Sequence, residues 1–396
     1  MYIDKNKLNI LIGKLPSKKS ETFSPFDPKI IKFLDIISKT ILLDKKINKF
    51  PDLKQFGFWC RKSNLINLSK NYQFKKTIIA RGVALHIPPS NVPLNFAFSL
   101  AFGLLSGCIN IVRVPSRNFD QIAVLLRILN KILKKDNFSL IKKNLCLLKY
   151  ERSDEISNHL SSISDVRLIW GGDETINQFK KYKTKTKNLD LFFPDKFSIS
   201  LINTSKVLKL SIQNLKNLAT NFYNDTYTMD QLGCSSPRLV IWHGKKSVYI
   251  KNKFWEYVYK HAKNKYNLDF SGASKKIHLL SNFSIKSNKN FNTSIKNLVL
   301  TRLQFKSKNN NINKIKSGFG IFPEINIQDL RELREIIKEN FQTITYYGLN
   351  KKEILDTIFK YKIRGVDRIV PIGQAFNIGP VWDGYDIIYH MTRVIE

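Results

Sequence analysis

The sequence predicts an α/β protein made of two successive series of strands and helices. From about residue 77, short apolar segments typical of strands, such as "INIVRV" and "VRLIW", alternate with segments of helical apolar spacing. A second series of the same kind begins near residue 198 with "SISLIN". Because strands separated by helices pair through crossovers, each series indicates a mainly parallel sheet covered by helices. A chain of 396 residues with 43% hydrophobic residues is long enough for two or three domains.

The first series can be followed element by element. Residues 1–75 form a mixed entry region in which 28–43 has helical spacing, and "TIIARGVALHI" predicts a strand or hairpin leading to a proline turn. The uncharged stretch 87–112 is long enough to cross a bilayer, but its prolines and glycines favour a buried helix and a strand. The elements expected after the turn are helix 93–106, strand 109–114, helix 118–135, strand "LCLLKY", helix "DEISNHLSSI", strand "VRLIW" and helix 173–182.

The second series has the same alternation. After "SISLIN" we expect a helical region at 206–222, a strand at "PRLVIW" and an amphipathic helix at "SVYIKNKFWEYVYKHAKNK". A polar surface loop is expected at 306–318. The remaining expected elements are strand "FGIFPEI", helix 327–340, strand "QTITYYG", helix 351–361 and strand "VDRIVPI".

Cysteine content and charge limit the class of protein. The four cysteines show no CxxC spacing, which predicts neither a disulfide framework nor a zinc site and indicates a reducing, cytoplasmic compartment. The opening residues hold no apolar run of signal-peptide length. A net charge of +35 leaves nucleic acid, an anionic membrane or acidic ligands open as partners. Lysine and asparagine run through the whole chain, however, which favours a compositional origin of the charge.

One cysteine lies in a polar turn. Cys234 stands in "DQLGCSSPR", where Gly233 and Ser235 leave access to the sulfur and bare backbone N–H groups beside it. Those are the conditions that a nucleophilic thiol needs. Cys234 is therefore a candidate nucleophile, with an unimportant surface cysteine as the alternative. The other cysteines have apolar or aromatic neighbours and are expected to be core residues: Cys60, Cys108 and Cys146.

The proline turn "IPPSNVPL" fixes a second candidate. Its prolines force a rigid, extended turn in which Asn91 is held with a side-chain amide free to donate. An amide held beside a thioester carbonyl is what an oxyanion hole requires. The alternative is an Asx turn, in which the Asn91 side chain bonds its own backbone.

The stretch "IVRVPSR" suits a nucleotide. Arg113 closes a predicted strand, and Ser116 is expected to cap the following helix. At the carboxyl end of a parallel strand, Arg113 and Arg117 could meet a ribose or phosphate. A solvated strand end is the alternative.

The stretch "LIWGGDETI" suits a pyrophosphate. A strand runs into Gly171 and Gly172 and then into a helix, where backbone N–H groups can meet phosphate oxygens. Asp173 is expected to be the N-cap of that helix, and its charge disfavours close approach of a phosphate. A pair of glycines alone is a weak motif.

Taken in order, these pieces resemble the aldehyde dehydrogenase superfamily. "IPPSNVPLNFAFSLAFGLLSGCINIVRVPS" is similar to its "PWNFPL … L.AGN..V.KPS" block, and "LFFPDKFSISLIN" stands where that superfamily has "ELGGK.P..V". Within it, the chain most resembles the fatty acyl-CoA reductases of bacterial luminescence, the LuxC type. The matching motifs are His86 to Pro93, Arg113 to Arg117, Trp170 to Glu174, Lys196 to Ser198, Asp230 to Pro237, Gly365 to Gly373 and Trp382 to Asp386.

The resemblance implies a domain organisation and a role for each candidate residue. It implies a Rossmann-like cofactor-binding domain at 76–200, an α/β catalytic domain at 201–375, an N-terminal region at 1–75 and a returning C-terminal segment at 376–396. Cys234 would attack an acyl thioester, and Asn91 with the Cys234 backbone N–H would stabilise the oxyanion. The residues implied to hold the nucleotide are Arg113, Ser116, Gly171 and Gly172.

The resemblance also implies an activity. Aldehyde-oxidising members carry a general-base glutamate four residues before the lysine of "ELGGK", and here that position is Phe192. Without the base no water is activated to hydrolyse the thioester, which favours reduction of acyl-CoA to an aldehyde. The alternatives are an aldehyde-oxidising dehydrogenase of the same fold and a basic nucleic-acid-binding protein without catalysis.

Cofactors and partners follow from that implied activity. The arginines around "VPS" favour NADPH, with NADH as the alternative, and no metal is expected. The expected partners are acyl-CoA or an acyl carrier, and an acyl-transferring or acyl-activating protein. No transmembrane segment and no nucleic acid are expected, and the superfamily implies a homo-oligomer.

Overall fold

The computed structural model describes residues 8–17, 20–72, 77–245, 247–286, 291–305 and 317–396. The chain divides into two compact units. The first unit is Met1–Pro194 together with Gly379–Glu396, and the second is Asp195–Ile378. Most of the loop expected at 306–318 lies outside the described residues.

The first unit begins with seven strands and eight helices within its described residues. The strands are β1 (Asn9–Gly13), β2 (Thr77–Ala80), β3 (Val83–Ile87), β4 (Ile109–Arg113), β5 (Leu145–Lys149), β6 (Val166–Trp170) and β7 (Leu189–Phe193). The helices are α1 (Pro28–Leu43), α2 (Pro51–Trp59), α3 (Lys62–Lys70), α4 (Asn95–Leu105), α5 (Asp120–Leu133), α6 (Ser139–Lys143), α7 (Asp154–Ile163) and α8 (Asp173–Lys180).

The main sheet of the first unit has the strand order β1-β5-β4-β3-β6-β7. Strands β5, β4, β3, β6 and β7 are parallel, and β1 pairs antiparallel with β5. The chain goes from β3 outward to β4 and β5 and then returns to place β6 on the other side of β3. That reversal is a topological switch point, where open parallel sheets bind ligands beyond the carboxyl ends of their strands.

The uncharged stretch 87–112 forms a helix inside this unit. Ten of the eleven residues of α4 are buried, which explains why the segment is apolar all round. Gly107 follows α4 with φ +82°, and a Cβ there would lie 2.1 Å from the carbonyl oxygen of Phe23. Glycine is therefore required at this helix end. Along the described chain, no helix combines the length and the apolar character needed to cross a bilayer.

The second unit contains seven further strands and six helices within its described residues. The strands are β8 (Phe197–Asn203), β9 (Pro237–His243), β10 (Phe291–Lys296), β11 (Leu300–Phe305), β12 (Ile321–Ile327), β13 (Phe341–Tyr347) and β14 (Arg368–Pro371). The helices are α9 (Thr204–Leu208), α10 (Ile212–Thr226), α11 (Val248–Lys265), α12 (Phe270–Lys286), α13 (Leu333–Ile336) and α14 (Lys351–Lys360).

The sheet of the second unit has the order β10-β11-β12-β9-β8-β13-β14. Its strands are parallel except for β10, which pairs antiparallel with β11. One face packs a cluster that includes Ile199, Ile241 and Ile344, and the other packs a cluster that includes Trp242 and Phe254. Both faces of the central strands are therefore buried, as expected for a parallel sheet.

The last residues return to the first unit and form β15 (Val381–Trp382), β16 (Tyr385–Asp386), α15 (Ile387–His390) and β17 (Thr392–Ile395). Strand β17 pairs antiparallel with β2. Arg81 fixes this return, because its side chain donates to the carbonyl oxygens of His390 and Thr392.

The predicted α/β class with parallel sheets is confirmed, and the differences are local. The helix expected at 327–340 is wrong: β12 extends to Ile327, and only a 3₁₀ turn (Leu330–Glu332) and the four-residue α13 follow. The helical region expected at 206–222 is two helices, α9 and α10. Helix α12 and the antiparallel pair β10–β11 had no counterpart in the sequence analysis. How nucleotide binding and catalysis divide between the two units remains a prediction.

Candidate active site

Cys234 lies in a constrained turn between a 3₁₀ helix (Tyr227–Met229) and β9. Asp230 and Gln231 before it have φ values of +53° and +60°, a conformation that non-glycine residues rarely adopt. Side chains hold this turn: Gln231 donates to the carbonyl oxygens of Pro237 and Ile321, and Asp230 accepts from the Tyr266 hydroxyl. Unusual backbone held by surrounding bonds is typical of functional sites.

Exposure separates Cys234 from the other cysteines. The other three thiols, Cys60, Cys108 and Cys146, are buried. Burial raises the pKa of each of them, and it raises that of Cys146 to about 12. Their expected role as core residues is confirmed. Cys234 is partly exposed. It is thus the one cysteine of the four that is not buried.

Ser198 ties the cysteine turn to the sheet. Its hydroxyl donates to the Cys234 carbonyl oxygen at 2.6 Å and accepts from the Thr343 backbone N–H at 3.2 Å. The serine therefore links the first residues of β8 to the turn on one side and to β13 on the other. All of these residues lie near the amino ends of their strands, so Cys234 stands at the amino edge of the parallel sheet.

Two arginines in the second unit interact electrostatically with the Cys234 sulfur. Burial lowers the pKa of Arg238 and of Arg368, and the negative charge of a Cys234 thiolate opposes that effect in both. Because the attraction is mutual, the two guanidinium groups favour the thiolate form of Cys234. A thiolate is the form of cysteine that attacks a carbonyl carbon.

The loop after β14 packs on the cysteine turn. A Cβ on Gly233 would lie 2.9 Å from a ring atom of Phe376, so this aromatic ring lies directly on the glycine before Cys234. Arg368 anchors the loop by donating to the carbonyl oxygens of Gln374, Ala375 and Asn377. The same arginine therefore positions the loop and contributes charge at the thiol.

Asp225 of α10 anchors that loop from below. Its carboxylate accepts from the backbone N–H groups of Gly373 and Ala375. Burial raises the pKa of Asp225 to about 7, against the opposing effects of the two N–H donors and of Arg368. The carboxyl thus titrates near neutral pH inside the second unit.

Replacing Asp225 with asparagine should change the pH dependence of stability. With a pKa of 3.8 in the unfolded chain and about 7 in the folded unit, the folded state binds the proton more tightly. The stability that Asp225 contributes is therefore complete below about pH 4 and is lost as the pH rises to 7. Asp225→Asn should remove this fall, which amounts to at most about 4 kcal/mol. Urea unfolding of the unchanged protein and of Asp225→Asn at several pH values measures the free energy of unfolding of each. If this free energy changes with pH in the same way in both proteins, the raised pKa of Asp225 is contradicted.

In the first unit, Asn91 lies exposed in the turn between β3 and α4. Its side chain forms no hydrogen bond with any described residue of this unit, so the alternative of an Asx turn is not formed. The nearby His86 is buried and bonds Ser99 through Nδ1 and Asn110 through Nε2. Burial lowers the pKa of His86 to about 4, so this histidine is neutral and joins β3 to α4 beneath the Asn91 turn.

Arg113 lies at the carboxyl end of β4, beside the switch point. Its guanidinium stacks 4.4 Å from the ring centroid of Tyr150 and donates to the Tyr150 carbonyl oxygen. Stacking fixes the plane of the guanidinium and leaves N–H donors for a ligand. Ser116 is exposed in the next turn, but it does not cap α5, which begins only at Asp120 with Phe119 as its N-cap. The expected cap is therefore wrong.

Gly171 and Gly172 follow β6 at the other side of the switch point. Gly172, not Asp173, is the N-cap of α8, and its φ of −68° is open to any residue. Asp173 and Glu174 occupy the first turn of α8, and Glu174 pairs with Arg152 at 3.4 Å. Glycine here leaves the backbone bare, which fits a pyrophosphate, while the two carboxylates limit how closely it approaches the helix end.

Phe192 belongs to the first unit and Lys196 to the second. Phe192 is on β7 and packs against the apolar cluster of the first unit, with the Lys180 ammonium 5.4 Å from its ring. Lys196 precedes β8 and pairs with Asp367 at 3.4 Å.

Within the described residues, no three His, Cys, Asp or Glu side chains are grouped so that they could hold a metal ion.

The residues that the sequence analysis missed all lie around Cys234. Gln342 donates to the Cys234 sulfur at 3.5 Å, Arg238 of β9 interacts electrostatically with the thiol, and Asp225 supports the loop. Gln342 is 108 residues from Cys234 in sequence, in a segment that reads as an ordinary strand. One signal was available in the sequence: Gln342 is a polar residue at a buried position of the seven-residue strand β13.

Comparison with solved structures identifies the fold. A lactaldehyde dehydrogenase matches with a TM-score of 0.66 at 12% identity, over 93% of this chain and 86% of that chain. Aldehyde dehydrogenase 21 from Physcomitrella patens matches with 0.64 at 14%, over 93% and 85%. An NAD-dependent benzaldehyde dehydrogenase from Corynebacterium glutamicum matches with 0.63 at 10%, over 99% and 98%. The protein therefore has the aldehyde dehydrogenase fold, as predicted.

A family model matches the middle of the sequence. Residues 60–256, which include Asn91, Arg113 and Cys234, match the family model described as acyl-CoA reductase (LuxC). This match confirms the predicted resemblance to that acyl-CoA reductase family. Fold and family match together support an oxidoreductase of acyl-CoA and aldehyde chemistry. A search of curated proteins gave no match.

Proposed function

We propose that the protein reduces a fatty acyl thioester of coenzyme A, or of an acyl carrier, to an aldehyde through an acyl group held on Cys234. The observation that carries the proposal is the partly exposed Cys234 thiol in its constrained turn, with Arg238 and Arg368 favouring its thiolate. A reachable thiolate at a fixed position is what attack on a thioester requires.

The first step is transfer of the acyl group. The Cys234 thiolate forms a bond to the acyl carbon, and the carbonyl electron pair moves to its oxygen. When the carbonyl re-forms, the bond to coenzyme A breaks and coenzyme A leaves with the electron pair as a thiolate. Asn91 and the backbone N–H of Cys234 would donate to the oxyanion between these events.

The second step is reduction by a bound nicotinamide nucleotide. Arg113 and Ser116 would hold its ribose or 2′-phosphate, and Gly171 and Gly172 would lie near its pyrophosphate. The fit is supported by the stacked Arg113 guanidinium and the bare glycine backbone on the two sides of the switch point. When bound there, such a nucleotide would supply a hydride to the acyl carbon. Arg113 and Arg117 favour NADPH over NADH.

Replacing Arg113 with alanine should therefore weaken NADPH more than NADH. A lost charge-assisted contact to a 2′-phosphate should raise the KM for NADPH by about tenfold or more, with little change in the KM for NADH. Steady-state kinetics with each nucleotide measures the ratio of the KM for NADPH to the KM for NADH. Arg127→Ala, an exposed arginine on α5, is the control for loss of positive charge. An equal effect on both nucleotides would place Arg113 at the ribose that they share and contradict its role in selecting NADPH.

The direction of the reaction distinguishes this proposal from its nearest alternative. Phe192 supplies no carboxylate at the position where the oxidising members carry a general base, so the acyl-enzyme should not be hydrolysed. Acyl-CoA with NADPH should give equal amounts of aldehyde and free coenzyme A. Steady oxidation of an aldehyde to the free acid without coenzyme A would instead establish an aldehyde-oxidising dehydrogenase.

The setting of the reaction is part of the proposal. The free state of all four cysteines supports a reducing cytoplasm. A fatty acyl substrate needs a source, so a partner that transfers or activates the acyl group is expected. The aldehyde dehydrogenase fold supports a homo-oligomer, because that superfamily usually self-associates.

A further inference from the structure

The side chain of Gln342 contacts the sulfur of Cys234. Its Nε2 donates to Sγ at 3.5 Å, which is within range for a hydrogen bond to sulfur. Its Oε1 accepts from the Thr343 hydroxyl at 3.2 Å, so both ends of the amide are engaged. Gln342 is only 2% exposed. A buried amide is costly unless it is bonded, so its position against the sulfur is fixed rather than incidental.

The backbone aims this side chain. Between β13 and β8, the register passes from the pair Phe341–Phe197 to Ile344–Ile199, which places one extra residue on β13 beside Ser198. On the other side of Ser198, β9 has a matching irregularity at Arg238. Bulges redirect side chains and are frequent beside active sites. Here the two bulges place Gln342 and Arg238 at the level of the cysteine turn.

We propose that Gln342 is a catalytic residue that donates a hydrogen bond to the Cys234 sulfur whenever this sulfur carries negative charge. The proposal rests on the function proposed above and deepens it. The sulfur is anionic at two points: before it attacks the acyl group, and again when the aldehyde leaves.

Release of the aldehyde is the step in which Cys234 becomes a leaving group. After reduction, the carbon bonded to Sγ bears an oxyanion. Its electron pair re-forms the carbonyl, the carbon–sulfur bond breaks, and the bonding pair stays on Sγ as a thiolate. Gln342 transfers no proton in this step: its N–H stabilises the departing sulfur. A neutral amide can do this without acting as a base, and so without activating water against the thioester.

Alkylation of Cys234 tests the contact without any substrate. The rate of reaction with iodoacetamide is measured against pH and assigned to Cys234 by peptide mass, since the three remaining thiols are buried. Gln342→Met removes the donor at similar volume, and the rate at pH 7 should fall about tenfold with its inflection moved to higher pH. Gln342→Glu places a carboxylate against the sulfur and should slow alkylation further.

Controls separate contact from general damage. Thr345→Val removes a buried hydroxyl on the same strand that bonds Ser200, and its alkylation profile should match that of the unchanged protein. Thr343→Val removes the group that orients the Gln342 amide and should give a smaller shift in the same direction. Profiles of Gln342→Met and Gln342→Glu that coincide with that of Thr345→Val would overturn the proposal.

A second measurement separates this proposal from the proposed function. Each protein is loaded with a labelled acyl group from acyl-CoA, and aldehyde release is followed after a single addition of NADPH. Release should be about tenfold slower in Gln342→Met than in Thr345→Val. If the unchanged protein takes up no acyl group, the proposed function fails. If it is acylated and Gln342→Met alkylates and releases aldehyde at unchanged rates, only the role of Gln342 fails.

Discussion

Cys234→Ala is expected to abolish aldehyde formation. The sulfur provides the covalent bond through which the acyl group passes, and no other exposed cysteine lies in the described chain to replace it. Removing the nucleophile of a covalent mechanism typically lowers kcat by a factor of about 10⁴ or more. Binding of the nucleotide should persist, because its proposed contacts come from Arg113, Ser116 and the two glycines of the first unit. Aldehyde production from acyl-CoA and NADPH, followed by chromatography, measures the loss.

The matched control for this variant is Cys146→Ala. Cys146 is a buried cysteine on β5 whose pKa burial raises to about 12, so its sulfur packs and does not react. Its removal should lower stability slightly and leave kcat nearly unchanged. Aldehyde formation that survives in Cys234→Ala but is lost in Cys146→Ala would transfer the chemistry to a different sulfur.

Asn91→Ala is expected to give the second-largest loss. An amide that donates to a developing oxyanion acts in the transition state, so its removal should lower kcat by about 10²–10³-fold with little change in KM. Asn91→Asp should be at least as damaging, because a carboxylate would repel the oxyanion. Steady-state kinetics with acyl-CoA as the varied substrate measures both.

The adjacent Ser90 provides the control for the turn itself. Ser90 is exposed in the same proline turn, and Ser90→Ala should leave kcat unchanged. A rise in KM with constant kcat in Asn91→Ala would assign this residue to substrate binding. Full activity in that variant would remove Asn91 from the site.

Much of the fold could be predicted because the relevant signals are local. Strands β3 to β6 are short apolar runs separated by helices of clear amphipathic spacing, and a parallel sheet buries such strands on both faces. The helix expected at 327–340 was wrong because its apolar residues, such as Leu333 and Ile336, pack on the sheet from the four-residue α13 instead of from one long helix. Helical spacing alone does not distinguish these two arrangements.

The candidate site could be predicted only in part, because some of its contacts join residues that are far apart in the sequence. Cys234 and Asn91 stand in unusual turns that are visible in a few residues of sequence. Gln342 and Arg238 reach the sulfur through two bulges beside Ser198, and bulges depend on pairing between strands that are far apart in the chain. The position of the thiol at the amino edge of its sheet also departs from the usual placement of ligand sites at carboxyl ends.

Intact-protein mass after mixing with acyl-CoA, in the absence of nucleotide, tests the central proposal most directly. We expect a gain equal to one acyl group, located on Cys234, removed by hydroxylamine and released as aldehyde when NADPH is added. A protein that forms aldehyde from acyl-CoA and NADPH while its mass never changes, or that carries the acyl group on another residue, would contradict it.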